Sequence, residues 1–270
     1  MSNRENLLEW AITEENEQFV GSDFLGRKTG LMTFNSDEIK KVYTAVFVSE
    51  NVVNRVAKES ECLILTHHNF DYYEDGRGLL PIRAQLFRKL KETGNSIYVA
   101  HAPLDTHKVY GTSISLSELC GVKVDKLFFD YHGSPVGVIG HIDACEFSSF
   151  AEHVRSRLSR PYVTLVECSA RVEKVAVAAG GGDLPELLQE VYDNGCDTLL
   201  TGTVEHRWLN PIVQQGNKKF HELNRRLKRN LIGGTHYATE RPAMIKVTEL
   251  ICNYGIDCSY CEDQGLLNAI

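Results

Sequence analysis

The stretch Cys62-Leu-Ile-Leu-Thr-His-His68 predicts a short buried β-strand that ends directly in two adjacent histidines. On either side of it, short apolar runs such as Val42–Val48 and Ile97–Ala100 alternate with amphipathic segments. This alternation is typical of an α/β fold, in which ligands usually bind at the carboxyl ends of the strands. We therefore expect an α/β protein with a polar site just after residue 66.

Other elements are predicted from the same periodicity and from turn residues. Leu7–Phe19 is predicted to be an opening helix, and Lys126–Ile142, which contains several glycines, a hairpin or meander. Pro81 is expected to open a helix that Gly94 closes, because proline favours helix starts and glycine favours the position just past a helix end.

Candidate metal ligands follow two of the predicted strands. His67 and His68 come after the first, and His101 and Asp105 after the second, with Pro103 between them predicting a non-helical loop. Imidazole and carboxylate together suit zinc, iron, manganese and related divalent ions. Two adjacent histidines share one pocket only where the strand has ended; otherwise each faces a different ion.

A third group of candidate ligands lies near the C-terminus. His236 and Glu240 are four residues apart, and Pro242 disfavours the helical conformation at the preceding residue. We expect Thr239 to cap the last helix, with Glu240 and Pro242 in its first turn and His236 in the preceding loop. Each group also has an ordinary interpretation, as a surface His-His pair, a helix cap or a first-turn charge.

The spacing of these groups predicts a discontinuous domain. If the candidate ligands at 67–105 and 236–240 form one site, the C-terminal segment returns to the N-terminal domain. Residues 1–124 and 231–270 would then form a metal-binding α/β domain, and residues 125–230 an inserted α/β domain.

Composition narrows the class of protein. The 270 residues carry a net charge of −7 and are 43% hydrophobic, which favours a sizeable core and gives no signal for nucleic acid or an anionic membrane. The charged N-terminus, MSNRENLLEWAITEENEQF, does not resemble a signal peptide, and no apolar run is long enough for a membrane span. Eight scattered cysteines indicate reduced thiols and a cytoplasmic protein.

Three further features of the sequence allow a functional interpretation. Gly180–Gly182 can hold a phosphate through backbone amides or form a tight strand-to-helix turn. Glu205 and His206 follow a predicted strand and either line the cavity or lie on the surface. Cys258 and Cys261 suggest a zinc knuckle, but with Cys252 they supply only three thiols.

Five blocks of the sequence resemble the GTP cyclohydrolase 1 type 2 or NIF-three-like family of dinuclear metal proteins. The blocks, which span most of the chain from about residue 40, are Leu63–Asn69 (LILTHHN), Val99–Asp105 (VAHAPLD), Val175–Gly182 (VAVAAGGG), Asp197–Gly202 (DTLLTG) and Gly234–Glu240 (GTHYATE). Their order and spacing make the combination specific.

The resemblance implies a NIF-three-like fold of two α/β domains, with the second inserted into the first. It implies that two metal ions are held by five side chains: His67, His68, Asp105, His236 and Glu240. It also implies a catalytic or outer-shell role for His101, and assembly as a homohexamer, a trimer of dimers.

Three functional classes follow. Two divalent ions about 3.5–4 Å apart can share a bound water and lower its pKa toward neutrality, which would support hydrolysis, including ring opening of a nucleotide. His101 is the candidate proton shuttle, because imidazole titrates near neutral pH. The alternative is a metal-stabilised, ring-forming adaptor without turnover, and a third idea is metal storage or insertion.

Overall fold

The computed structural model describes residues 29–68, 72–75, 78–131, 133–208 and 210–268. The predicted helix Leu7–Phe19 lies outside these residues. Within them the chain is a mixed α/β protein, as predicted. No helix among the described residues has both the length and the apolar composition needed to cross a membrane.

The strands and helices are numbered in chain order. The strands are β1 Gly30–Thr33, β2 Lys41–Ala45, β3 Cys62–Thr66, β4 Tyr72–Asp75, β5 Gly78–Pro81, β6 Ser96–Val99, β7 Lys123–Asp130, β8 Pro135–Glu146, β9 Thr164–Val166, β10 Arg171–Gly181, β11 Thr198–Thr203, β12 Asn230–Gly233 and β13 Cys258–Tyr260. The helices are α1 Glu50–Val56, α2 Ala84–Glu92, α3 Ala102–Asp105, α4 Thr112–Leu119, α5 Phe147–Arg157, α6 Pro185–Asp193, α7 Pro211–Leu227, α8 His236–Asn253 and α9 Gln264–Leu267.

The chain divides into two compact units. Among the described residues, the first comprises 29–68, 72–74, 79–110 and 243–264, and the second comprises 75, 78, 111–131, 133–208, 210–242 and 265–268. The main limits of these units, near residues 110 and 242, lie close to but not at the boundaries predicted from the sequence. The predicted assignment of a metal-binding domain and an inserted domain stays a prediction.

The first unit is built on a five-stranded sheet in the order β1-β6-β3-β2-β13. Strands β6, β3, β2 and β13 run parallel to one another, and β1 at the edge is antiparallel to β6. Every residue of β3 and β6 is buried, which explains why both strands are continuous apolar or small-residue runs. Ser49 caps α1 by accepting a hydrogen bond from the backbone N–H of Val52.

The second unit contains a six-stranded sheet in the order β7-β8-β10-β11-β12-β9. The predicted hairpin is confirmed as the antiparallel pair β7 and β8. Successive side chains of β10 enter cores on opposite faces, with Val175 and Val177 on one face and Ala176 and Ala178 on the other. The sheet is therefore covered on both faces, as parallel strands require.

The predicted role of Pro81 is wrong. Pro81 ends strand β5, and the helix begins only at Ala84, after Arg83 in an extended conformation. The fixed φ of proline is compatible with an extended backbone as well as with a first helical turn, so the residue type alone does not distinguish them. Gly94 does lie just past the helix, with a φ of +68°.

The predicted start of the last helix is also wrong. Helix α8 begins at His236, follows Thr235 with a φ of +77°, and contains Pro242 in its interior. Thr239 is a helical residue whose backbone N–H donates to the Thr235 carbonyl over 3.2 Å. The restriction before proline is a local bias that tertiary packing can override.

Candidate metal centre

Two neighbouring parallel strands of the first unit position its candidate ligands. Strands β3 and β6 pair in parallel from Leu63 opposite Ser96 to Thr66 opposite Val99. The carboxyl ends of parallel neighbours meet at one edge of a sheet. His67 and His68 follow β3 at this edge, and His101 follows β6 one residue after the strand ends.

His67 is held in one orientation. Its fully buried imidazole donates a hydrogen bond from Nδ1 to the carbonyl oxygen of Ala100 over 3.1 Å, and its Nε2 lies 3.4 Å from Oδ1 of Asp105. A proton on Nδ1 leaves Nε2 as the nitrogen that carries the lone pair. This is the arrangement by which a backbone carbonyl orients a metal-binding histidine.

The two adjacent histidines lie in one cluster. The ring centroids of His67 and His68 are 4.6 Å apart, and His101 lies 4.7 Å from His67 and 5.0 Å from His68. One ligand atom from each of the three residues can be chosen so that all lie within 4.8 Å of one another, a spacing at which they could hold a metal ion.

His68 is also held by an aromatic neighbour that sequence reasoning missed. Its ring stacks on Phe47 with centroids 4.3 Å apart and an interplanar angle of 10°. Phe47 follows β2, which is the parallel neighbour of β3. The sequence shows that Phe47 follows an apolar strand. Only the pairing of β2 with β3 shows that this position lies beside His68.

His101 and Asp105 lie one helical turn apart. Nδ1 of His101 is 4.0 Å from Oδ2 of Asp105, across the short helix α3. The expectation of a non-helical loop around Pro103 is wrong, because Pro103 occupies the first turn of this helix, where its missing N–H costs nothing. The first unit therefore brings together His67, His68, His101 and Asp105.

The second unit pairs the remaining two candidate ligands. Nε2 of His236 lies 3.0 Å from Oε1 of Glu240, and the Glu240 side chain is only 4% exposed. The pair occupies the first turns of α8, directly after β12. A buried carboxylate beside an imidazole nitrogen offers two donor atoms of the type that divalent ions take up.

Glycine at the end of β10 is in close contact with this pair. A Cβ on Gly180 would overlap Oε1 of Glu240 and lie 2.9 Å from Nε2 of His236. Gly180 has a φ of +74° and donates its backbone N–H to Oγ1 of Thr239 over 3.1 Å. For Gly182, an added Cβ would overlap Oγ1 of Thr201. Two of the three glycines are therefore required by close packing, and phosphate binding at Gly180–Gly182 stays a hypothesis.

The other polar residues singled out from the sequence are placed as follows. Glu205 is exposed, whereas His206 is half-buried and its Nε2 lies 3.2 Å from Oδ2 of Asp183. In the described part of the chain, no cysteine belongs to a group of three metal-ligating side chains. Burial raises the pKa of the Cys258 thiol to about 12 and that of Cys261 to about 11, which favours the neutral thiols.

Comparison with known proteins agrees with this fold. A protein of Pyrococcus horikoshii described as "GTP cyclohydrolase 1 type 2 homolog" is 26% identical over 218 residues, covering 79% of this chain and 80% of that protein. The structure of protein ybgI, described as of unknown function, matches with a TM-score of 0.77 at 20% identity and covers 98% of this chain and 100% of that one. The structure of TTHA1606 from Thermus thermophilus matches with a TM-score of 0.73 at 20% identity, covering 97% and 98%.

The family known as Duf34/NIF3 (NGG1p interacting factor 3) matches residues 26–259. This match covers both units, all three groups of candidate ligands and every block of the resemblance described above. The chain therefore belongs to the Duf34/NIF3 family.

Proposed function

We propose that the chain is a metal-dependent hydrolase with a dinuclear site. Five side chains would hold two divalent ions of zinc, iron or manganese: His67, His68, Asp105, His236 and Glu240. The observation that carries the proposal is the fixed orientation of His67, whose Nδ1 is bound to a backbone carbonyl while its Nε2 is directed toward a carboxylate.

The donor atoms fit such ions. Neutral imidazole and carboxylate are ligands that zinc, iron and manganese share, and no thiolate is needed. The first unit supplies a compact group of three histidines and one carboxylate, and the second supplies a buried carboxylate paired with an imidazole. The resemblance of the blocks that carry these residues to the family supports the proposal that both groups hold metal ions.

Bound divalent ions would supply Lewis acidity toward water and toward an electrophilic carbon or phosphorus. His101 is the proposed proton shuttle, because its ring stacks on His67 with centroids 4.7 Å apart and an interplanar angle of 19°. The imidazole of His101 would accept a proton from the attacking water. Asp105, 4.0 Å from Nδ1 of His101, would hold this imidazole in position.

A nucleotide is the proposed substrate, and hydrolytic ring opening the proposed reaction. This proposal is supported by the descriptions of the relatives as homologues of GTP cyclohydrolase 1 type 2. We also propose that the chain forms a homohexamer, on the basis of its family. A cytoplasmic location is supported by eight cysteines that are all free thiols.

The test begins with metal analysis of the purified chain, followed by incubation with GTP and mass spectrometry of the products. We expect two ions per chain and a product one water heavier than GTP. His101→Ala should keep the metal and lose about 10²–10⁴-fold in kcat, the usual contribution of a proton-transfer group. His141→Ala is the matched control, since His141 also pairs with an aspartate, over 2.9 Å, but on an exposed surface.

Two outcomes would contradict the proposal. If the chain carries two ions and turns over no nucleotide, the metal-stabilised adaptor becomes the better description. If the double variant Asp105→Ala, Glu240→Ala retains its full metal content, the assignment of the ligands is wrong. Light scattering of the purified chain tests the hexamer separately.

A further inference from the structure

We propose that His206, oriented by Asp183, is a second proton-transfer residue of this hydrolase and donates a proton to the leaving group. The inference rests on the proposed function, because it assigns one step of that reaction. It concerns the second unit alone.

The placement of the two residues is the first argument. Strands β10, β11 and β12 are parallel neighbours in the second unit. Asp183 follows β10, His206 follows β11, and His236 follows β12, so all three lie beyond the carboxyl ends of adjacent strands. This edge of a parallel sheet is where α/β proteins place reacting and binding groups.

The geometry of the pair is the second argument. Nε2 of His206 lies 3.2 Å from Oδ2 of Asp183, and the two side chains are 17% and 16% exposed. A carboxylate at this distance holds an imidazole in one orientation and one tautomer. The remaining exposure leaves part of the imidazole within reach of a substrate.

The third argument is that the protein fixes the backbone of His206 as well as its ring. The His206 N–H donates to Oδ1 of Asn217 over 3.0 Å, and Nδ2 of Asn217 donates to the His206 carbonyl over 2.6 Å. Asn217 is itself buried in helix α7. Trp208 packs on the imidazole with ring centroids 4.4 Å apart. A proton-transfer residue must be held in one position relative to the atom that receives the proton, and these contacts hold His206 in that way.

An exposed pair in the same unit shows the contrast. His141 and Asp125 are linked over 2.9 Å on the β7–β8 hairpin, but their side chains are 48% and 45% exposed. A surface ion pair of this kind contributes little to stability and is screened by salt. Asp125 therefore provides the matched control for Asp183.

The chemical step needs a proton donor. Ring-opening hydrolysis adds the hydroxyl group of water to carbon, breaks a carbon–nitrogen bond and leaves the bond's electron pair on nitrogen. The protonated imidazole of His206 would give its proton to that nitrogen as the bond breaks, and solvent would then reprotonate the imidazole. The attacking water releases its other proton to solvent, so atoms and charges balance.

The experiment compares His206→Asn, Asp183→Asn and Asp125→Asn with the metal-loaded wild type. We expect His206→Asn to retain its metal content and its KM within about threefold while kcat falls by about 10²–10⁴-fold. Free imidazole in the buffer should restore part of this loss, which a purely structural role would not allow. Asp183→Asn should lower kcat because the neutral amide no longer selects the imidazole tautomer or stabilises the imidazolium. Asp125→Asn should match the wild type.

A second readout does not depend on turnover. Carbethoxylation of His206 by diethyl pyrocarbonate, located by peptide mass spectrometry, should slow when GTP is added to the metal-loaded His101→Ala variant. Modification of the exposed His141 should be unaffected by GTP. This comparison reports whether the nucleotide covers His206.

The outcomes separate the two proposals. An active wild type with an equally active His206→Asn variant overturns the role of His206 and leaves the hydrolase intact. A wild type that turns over no nucleotide overturns the hydrolase and this inference with it. If His206→Asn does not fold, Asp183→Asn decides, because it keeps the imidazole and the shape of the partner; a wild-type kcat in that variant overturns the inference.

Discussion

Gly180 provides the sharpest test of how the second unit holds its candidate ligands. We expect Gly180→Ala to weaken metal binding by displacing His236 and Glu240. The new methyl group would overlap Oε1 of Glu240 and lie 2.9 Å from Nε2 of His236, whereas Cβ contacts under 3.0 Å essentially never occur. One or both donor atoms must therefore move.

The expected magnitude has two parts. The φ of +74° at Gly180 costs an alanine about 1–2 kcal/mol in backbone strain. The overlap requires Oε1 of Glu240 to retreat by roughly half an ångström or more, although its side chain is only 4% exposed and has little room. A displacement of this size at a ligand corresponds to a loss of about 10–100-fold in metal affinity.

Two other glycines of the same unit separate these effects. Gly195 has a φ of +68° and nothing within 4 Å of an added Cβ, so Gly195→Ala carries the backbone strain alone. Gly181 also has nothing within 4 Å and has no positive φ, so Gly181→Ala should be neutral in both respects. The three variants therefore form a matched series.

The assay combines thermal unfolding with competition for Zn²⁺ or Mn²⁺ against a chelator. Gly180→Ala and Gly195→Ala should both lose stability, and only Gly180→Ala should lose metal affinity. Equal metal affinity in these two variants would refute the reasoning, because it would mean that Gly180 is needed only for its backbone conformation. A loss of affinity in Gly181→Ala would refute it as well.

Three further predictions concern the environment of the site and the buried thiols. Thr239→Val should cost about 1–3 kcal/mol in unfolding free energy, measured with urea, because the Gly180 N–H would lose its acceptor; an unchanged free energy would contradict this. Burial raises the pKa of Cys120 from 9.0 to about 12. Between these two pH values the thiol is ionised in the unfolded chain and neutral in the folded chain. Stability should therefore fall above about pH 9, and Cys120→Ala should reduce the slope of urea-measured stability against pH. Burial also raises the pKa of Cys258 to about 12, so iodoacetamide at about pH 8 should label the exposed Cys168 first; peptide mass spectrometry showing equal labelling would contradict the burial of Cys258.

Several elements could be predicted from the sequence because the local signal and the tertiary environment agree. Strand β3 was predicted at Cys62–Thr66, where the structure has it. All five residues are buried, so the apolar run in the sequence coincides with the whole strand. The hairpin β7–β8 was predicted from its glycines.

Prolines account for the errors. At Pro81, Pro103 and Pro242 the sequence predicted a helix start, a non-helical loop and a first helical turn, whereas the structure has a strand end, a short helix and a helix interior. Proline removes one N–H and restricts one φ, and several backbone conformations satisfy both conditions. Contacts made by distant residues decide among them.

The sequence by itself determined the α/β class, the family, and which imidazoles and carboxylates follow the strands, because these depend on residue type and short-range order. Only the tertiary structure decided that β3 and β6 are adjacent and parallel, which brings His67, His68, His101 and Asp105 into one cluster. It also decided that the Ala100 carbonyl orients His67, and that His236 and Glu240 lie so close to Gly180 that no Cβ fits there. These contacts join residues far apart in the chain, and their direction depends on strand pairing that no local pattern encodes.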